Sequence, residues 1–164
     1  RALDVGCREG TQSRRLEGKG YRVTSIDITS RYENCIIVDV NAGVPFSDGQ
    51  FDVVWCSEVI EHLRDPREAV GELLRVTRRG GDLLVTTPNS YFWLFRLFGL
   101  LGLPPHRLQR EDHLHYFRLA DVERLFPGSR ICGFFPYLLV KRRIEARLLV
   151  GALSPTFVVH VRKG

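Results

Sequence analysis

Short apolar runs alternate with longer segments of helical spacing along this chain. "ALDVG" (residues 2–6) is an apolar run ended by glycine, the pattern of a short buried strand. "TQSRRLEGKG" (11–20) reads as a helix stopped by glycine, with Thr11 as its N-cap. The alternating, β-branched "YRVTSID" (21–27) predicts a second strand, and "NCIIVDV" (34–40) a third. Only Ile28 to Glu33 separate them, too few for a regular crossover helix between parallel strands, so that connection is expected to be irregular. "VPFSDGQ" (44–50) is a turn-rich loop and "FDVVWCS" (51–57) a fourth strand. "DPREAVGELLRVTRRGG" (65–81) carries the strongest helix signal: Asp65 as N-cap, Pro66 in the first turn, apolar residues at helical spacing, and Gly80-Gly81 as its stop. "DLLVTTP" (82–88) is a fifth strand.

The second half is less regular. An insert covers residues 89–115, "LADVERLF" (119–126) reads as a helix, and "RICGFFPYLLV" (130–140) and "TFVVHVR" (156–162) as strands. The basic run "KRRIEARLL" (141–149) between them reads as the solvated face of a helix. Strands alternating with helices imply an α/β sheet, parallel in its first part, whose ligands bind beyond the carboxyl ends of the strands.

Composition narrows this picture modestly. A chain of 164 residues predicts a single domain, and 44% hydrophobic residues suffice for one core. Four cysteines, Cys7, Cys35, Cys56 and Cys132, show no Cys-x-x-Cys spacing and read as buried thiols of a reducing, cytoplasmic compartment. The net charge of +5 permits an anionic partner without requiring one. The chain opens at Arg1, almost directly in a strand, so a preceding piece of chain is expected.

The residues ending each strand carry the candidate chemistry. Gly6, with Asp4 before it and Gly10 after it, allows a sharp turn and close approach of backbone to ligand. Asp27 ends the second strand, placed to accept from both hydroxyls of a ribose, and Asp39 ends the third, placed to accept from an adenine amino group. Taken alone these features suit NAD or a flavin nucleotide equally.

Together, "LDVGCREG", "SIDI", "VDV", "VPFSDGQFDVVWCSEVIEHLRDP", "RRGGDLLVTTPN" and "DHLHYF" resemble the class I S-adenosylmethionine-dependent methyltransferases, over nearly the whole chain. The resemblance implies a Rossmann-like fold: a mostly parallel seven-stranded sheet with helices on both faces and an antiparallel last strand, here "SPTFVVHVRK". It implies that Gly6 and Gly10 line the methionine part of the cofactor, with Asp4 and Cys7 also among the cofactor-binding residues. Asp27 would hold the ribose, Ile28 pack on adenine, Asp39 and Val40 meet the adenine edge, and Cys56 and Ser57 close the pocket. Arg8 departs from the pattern, which favours glycine there. Either its backbone is left-handed, at a cost of about 1 kcal/mol, or the loop is ordinary and Arg8 points to solvent or to the cofactor carboxylate. A solvent-facing side chain is the expectation.

Methyl transfer from a sulfonium needs alignment more than acid catalysis. A hydroxyl acceptor must also lose its proton, for which Glu58, His62 and His113 are the candidate catalytic residues. Glu58, Glu61 and His62 would share one face if that stretch is helical. With His115 or His113 they resemble the magnesium site of small-RNA 3′-terminal 2′-O-methyltransferases and of ubiquinone-pathway O-methyltransferases, which makes a divalent cation a candidate second cofactor. The insert "SYFWLFRLFGLLGLPPHR" is too short to span a bilayer. Residues 91–103 are expected to pack, to form a lid over the acceptor pocket, or to touch a membrane peripherally. The resulting reading is O-methylation of a small or lipid-linked acceptor. The alternatives are an RNA 3′-terminal 2′-O-methyltransferase and a non-catalytic cofactor-binding module.

Overall fold

The computed structural model describes residues 1–29, 31–103, 107, 112–135 and 142–164. Strands β1 (Ala2–Val5), β2 (Val23–Asp27), β3 (Cys35–Ile37), β4 (Phe51–Ser57), β5 (Thr77–Pro88), β6 (Arg130–Phe135), β7 (Arg142–Ile144) and β8 (Thr156–Arg162) form one sheet in the order β3-β2-β1-β4-β5-β8-β6-β7. The first five are parallel, and β8 runs antiparallel to both β5 and β6. The sheet therefore has eight strands where seven were expected. The additional one, β7, comes from the front of the basic run, where Arg142 and Arg143 fall on a short strand instead of a helix face; Arg147, at its back, begins a helix as expected.

Alternation along the strands builds two cores. Leu3, Val54, Cys56, Leu83 and Val85 face α2 (Pro66–Val76), which buries Ala69, Val70, Leu73 and Val76 against them. Ala2, Val53, Trp55 and Leu84 face the other way, onto Leu16 of α1 (Thr11–Glu17). Helices thus cover both faces, as a parallel sheet requires.

Helix ends follow the chemistry of their caps, with two departures from expectation. The N-cap of α1 is Gly10, and Thr11 is already its first helical residue. Asp65 caps α2 as expected, its carboxylate accepting from the Arg67 and Glu68 N–H groups at 2.8 and 3.1 Å. The helix ends at Val76, however, and Gly80-Gly81 lie inside β5. Its last carbonyls are satisfied from a distance: the Lys163 ammonium donates to the carbonyls of Leu74, Arg75 and Thr77 at 2.7, 3.2 and 2.6 Å.

Between β2 and β3 no helix occurs among the described residues, as the short spacing predicted. β3 is only three residues long, so Asp39 lies beyond it, as the cap of a 3-10 turn at Val40–Ala42. After β5 the chain is anchored by Asn89, whose amide donates to the carbonyls of Gly151 and Ser154 at 2.9 and 2.8 Å. Helix α3 (Trp93–Leu100) then stands away from the core with no buried residue. Core packing, one of the roles expected of residues 91–103, is therefore overturned for this helix. Helices α4 (Leu119–Leu125) and α5 (Arg147–Leu153) complete the fold; part of the strand expected over 130–140 lies outside the described residues.

Candidate functional site

The carboxyl ends of β1, β2 and β4 open into a cleft of about 830 Å³. Its floor is the turn after β1. Gly6 has φ +81°, and a Cβ there would lie 2.4 Å from Cγ2 of Val59, so only glycine fits. Gly10 is similarly closed in, a Cβ meeting the Tyr32 ring at 2.5 Å. Beneath the turn the buried Asp4 accepts from the Ser13 hydroxyl at 2.6 Å, and Ser13 contacts Ser25 Oγ at 2.8 Å, tying β1, α1 and β2 together. Burial raises the Asp4 carboxyl above the ordinary range.

Arg8 takes the left-handed conformation, φ 47°, so the turn keeps the backbone shape a glycine would supply. Its N–H donates to Asp27 Oδ2 at 2.9 Å, and the Thr29 N–H to Asp27 Oδ1 at 3.2 Å. The Asp27 carboxylate is thus fixed at the mouth of the cleft with one lone pair on each oxygen still available. Contrary to the expectation of a purely solvent-facing side chain, Arg8, though exposed, lines the cleft.

Asp4, Gly6, Cys7, Asp27, Ile28 and Ser57 line this space, as do Asp39 and Val40. Gly10 and Cys56 are not part of its wall. Gly10 acts one layer behind, and Cys56 is wholly buried, its thiol pushed up by burial. Trp55, which the sequence reading passed over, lines the cleft, and its indole N–H is buried without a hydrogen-bond partner.

The other end of the cleft holds the candidate catalytic groups. The expected helix over Glu58–His62 does not form. Glu58 is left-handed at φ 54°, and only a single 3-10 turn, Ile60–His62, follows. Glu58, Glu61 and His62 therefore do not lie on one helix face. Burial raises the Glu58 carboxyl, against the opposing effects of a Thr86 hydrogen bond and the charges of His62 and Arg8. Glu61 is 1% exposed. Burial, then the charge of Glu58, pushes its carboxyl up to about 8. The Thr87 hydroxyl donates to Glu61 Oε2 at 3.1 Å, while Oε1 has no hydrogen-bond partner.

The segment "DHLHYF" reaches this turn through backbone bonds: the N–H groups of Leu114 and His115 both donate to the Glu61 carbonyl, at 2.9 and 3.0 Å. His62 Nδ1 lies 2.9 Å from the Asp112 carbonyl. A carbonyl only accepts, so Nδ1 carries a proton, and in the neutral ring the lone pair is on Nε2, 4.0 Å from Glu61 Oε1. The His62 and His113 rings meet edge to face at 4.7 Å. One donor atom each from Glu61, His62 and His113 lie within 4.8 Å of one another. His115 does not join them. Its Nε2 is 2.9 Å from the Leu63 carbonyl, its ring stacks on Phe117, and it faces a different cleft. Of the four residues expected to hold a metal, Glu61 and His62 come together, with His113 in the place of His115; Glu58 stands outside the group of three. None of residues 91–103 lines the cleft, so the lid expected there is not formed. Among the described residues no helix is long and apolar enough to cross a membrane.

A family profile described as a methyltransferase domain matches residues 3–85. The chain is 32% identical over 143 residues to a ubiquinone biosynthesis O-methyltransferase of Aromatoleum aromaticum, covering 76% of this chain and 60% of that protein. The chain thus spans three fifths of that relative's length. A protein of the same name from Erwinia tasmaniensis is 30% identical, covering 78% of this chain and 70% of its own. Among solved structures, a possible histamine N-methyltransferase of Thermotoga maritima superposes with a TM-score of 0.75 at 15% identity, over 100% of this chain and 82% of that one.

Proposed function

The chain belongs to the methyltransferase domain family and uses S-adenosylmethionine, and from that premise we propose that it moves the cofactor's methyl group to an oxygen of a small or lipid-linked acceptor. Asp27 holds the ribose hydroxyls, Ile28 and Val40 flank adenine with Asp39 at its edge, and Gly6, Cys7 and Ser57 border the methionine end. When bound, the cofactor would supply its sulfonium methyl group to an acceptor oxygen and would leave as the neutral thioether. The acceptor's proton passes to His62 Nε2.

The observation that carries this reading is the tautomer of His62. With Nδ1–H engaged by the Asp112 carbonyl, the lone pair of the neutral ring sits at the end of the cleft beside the buried Glu61 carboxyl. Such a base serves a hydroxyl acceptor. His113 packs against the His62 ring and orients it.

The same groups fit a divalent cation. Glu61 Oε1, buried and without a hydrogen-bond partner, suits a positive charge, and one carboxylate with two imidazoles favours manganese or zinc over magnesium. Glu61, His62 and His113 would hold the ion, which would lower the pKa of an acceptor hydroxyl. His62 then serves as ligand in place of base.

A lipid-linked acceptor is favoured by α3 and the turn after it, where Trp93, Leu97, Leu100 and Leu101 are all exposed. The test is formation of S-adenosylhomocysteine with catechol-type phenols, with and without a prenyl chain, and with a short RNA, each with and without EDTA. Phenol-dependent turnover is expected, stronger with the prenyl chain. Turnover with RNA alone, or with amines alone, rejects the reading. Turnover unchanged by EDTA removes the cation from it.

A further inference from the structure

A second cavity, of about 630 Å³, opens between α3, the start of α4 and α5, and shares no lining residue with the cofactor cleft. Three arginines line it: Arg96 of α3, Arg118 at the cap of α4, and Arg147 in the first turn of α5. No acidic residue among the described ones does. Nearby cations are matched. Arg147 donates through Nε and Nη2 to Glu123 at 2.5 and 2.6 Å, Arg124 pairs with Asp121, and Arg130 with Glu145 at 2.8 Å. Arg96 and Arg118 have no carboxylate partner among the described residues. Arg118 is positioned by other means. Its guanidinium lies over the Tyr91 ring, 4.4 Å from the centroid, and stacking on a ring face leaves the in-plane N–H donors free. Tyr91 is fixed in turn: its N–H donates to Oδ1 of the buried Asn89 at 3.1 Å, and the Asn89 amide ties the end of β5 to α5. A guanidinium held with its donors unspent, in a wall of cations, is suited to an anion.

We propose that this cavity binds the phosphate group of a molecule with an apolar body, through Arg96 and Arg118. Two guanidinia without a counter-charge call for two negative charges on one small group. A phosphate monoester brings them, with three acceptor oxygens for the forked donors, and a single carboxylate does not. The rim suits the apolar half. Leu148 lines the cavity and is exposed, and Trp93 and Leu100, three residues before Arg96 and four after it, share its helix face and are exposed too. The same chemistry comes from two sources, a soluble phosphate ester or an anionic lipid headgroup. Neither arginine takes part in the cofactor or acceptor chemistry above, so the site stands or falls apart from it.

Calorimetry on the full chain with phenyl phosphate, and with benzoate as the singly charged comparison, tests the site. Phenyl phosphate should bind about tenfold or more tightly than benzoate. The double variant Arg96→Gln/Arg118→Gln should lose that preference; both residues are exposed, so the melting temperature should hold. Arg142→Gln removes an exposed cation outside the cavity and should change the affinity by less than about twofold. Flotation with phosphatidylcholine vesicles, with and without phosphatidic acid, separates the sources. Flotation that needs phosphatidic acid and is lost in the double variant assigns the phosphate to a lipid headgroup. Phenyl phosphate binding without flotation assigns it to a soluble ester. The proposal is overturned if benzoate binds as tightly as phenyl phosphate, if the double variant keeps the wild-type affinity, or if Arg142→Gln weakens binding as much as the double variant does. Wild type binding neither phenyl phosphate nor the acidic vesicles overturns it as well.

Discussion

At the amino edge of the sheet, acidic side chains meet basic ones. Glu72 accepts from Arg75 Nε and Nη2 at 2.8 and 2.9 Å and from the Val44 N–H at 3.1 Å, which holds its carboxyl down at about 2. Asp82 accepts from Arg162 at 2.7 Å and lies 2.8 Å from His160 Nε2; burial opposes these partners, yet its carboxyl is lowered. At the carboxyl edge of the same sheet, Asp4 and Glu61 are buried beside hydroxyls, the exposed Glu58 lies on the same edge, and all three carboxyls are raised. One edge therefore spends its charges on holding the chain together. The other keeps charges that cost stability and suit a ligand, the usual exchange at a reactive site.

The sharpest way to break this contrast is His62→Ala. Methyl transfer should fall about 100- to 1,000-fold, measured with a working acceptor, while the melting temperature stays within a few degrees. A large loss of stability would mean that this edge is structural too. Arg75→Ala should do the reverse. The guanidinium donates to the carbonyls of Phe46 and Val44 as well as to Asp48 and Glu72. Urea unfolding should show a loss of about 3 kcal/mol, with affinity for S-adenosylhomocysteine unchanged.

Glu61→Gln tests the sign of the pH dependence. The folded pKa of Glu61, about 8, lies above its ordinary 4.5, so the folded state binds the extra proton between them. The stability associated with that proton is intact below about pH 4.5 and is lost as pH rises through about 8. In EDTA, the glutamine variant should be more stable than wild type at pH 9, and the two should converge toward pH 4.5. A constant difference across that range would show that Glu61 does not titrate as its burial implies.

The strands other than β7, their order of appearance and the capped start of α2 were legible because each is written in local pattern and cap chemistry. The end of α2 was not, since the group that satisfies its carbonyls is Lys163, far along the chain. Gly80-Gly81 looked like the stop and are strand residues instead. At the site, residue types were legible and geometry was not. "EVIEH" has helical spacing, but the left-handed Glu58 and the 3-10 turn redistribute its side chains. His113 and His115 sit two apart and would share a face in a regular extended segment, yet His113 joins Glu61 and His62 while His115 turns to the Leu63 carbonyl. The sequence offers no means of telling which one faces His62. That depends on which backbone amides bond to the Glu61 carbonyl, a long-range contact.

The margins of the sheet carry a consequence for solubility. Its two outermost strands among those described, β3 and β7, are three residues each. A strand that short exposes too few unpaired amides and carbonyls to recruit another chain. The β7 margin begins with Arg142 and Arg143, whose charges oppose the approach of a second such edge. The β3 margin exposes Ile36 and Ile37 instead and relies on brevity alone. A variant that lengthens β3 by even two β-branched residues would supply a sticky, pairable border. Fibril formation, read by thioflavin fluorescence, should begin there and not at the arginine-bearing side.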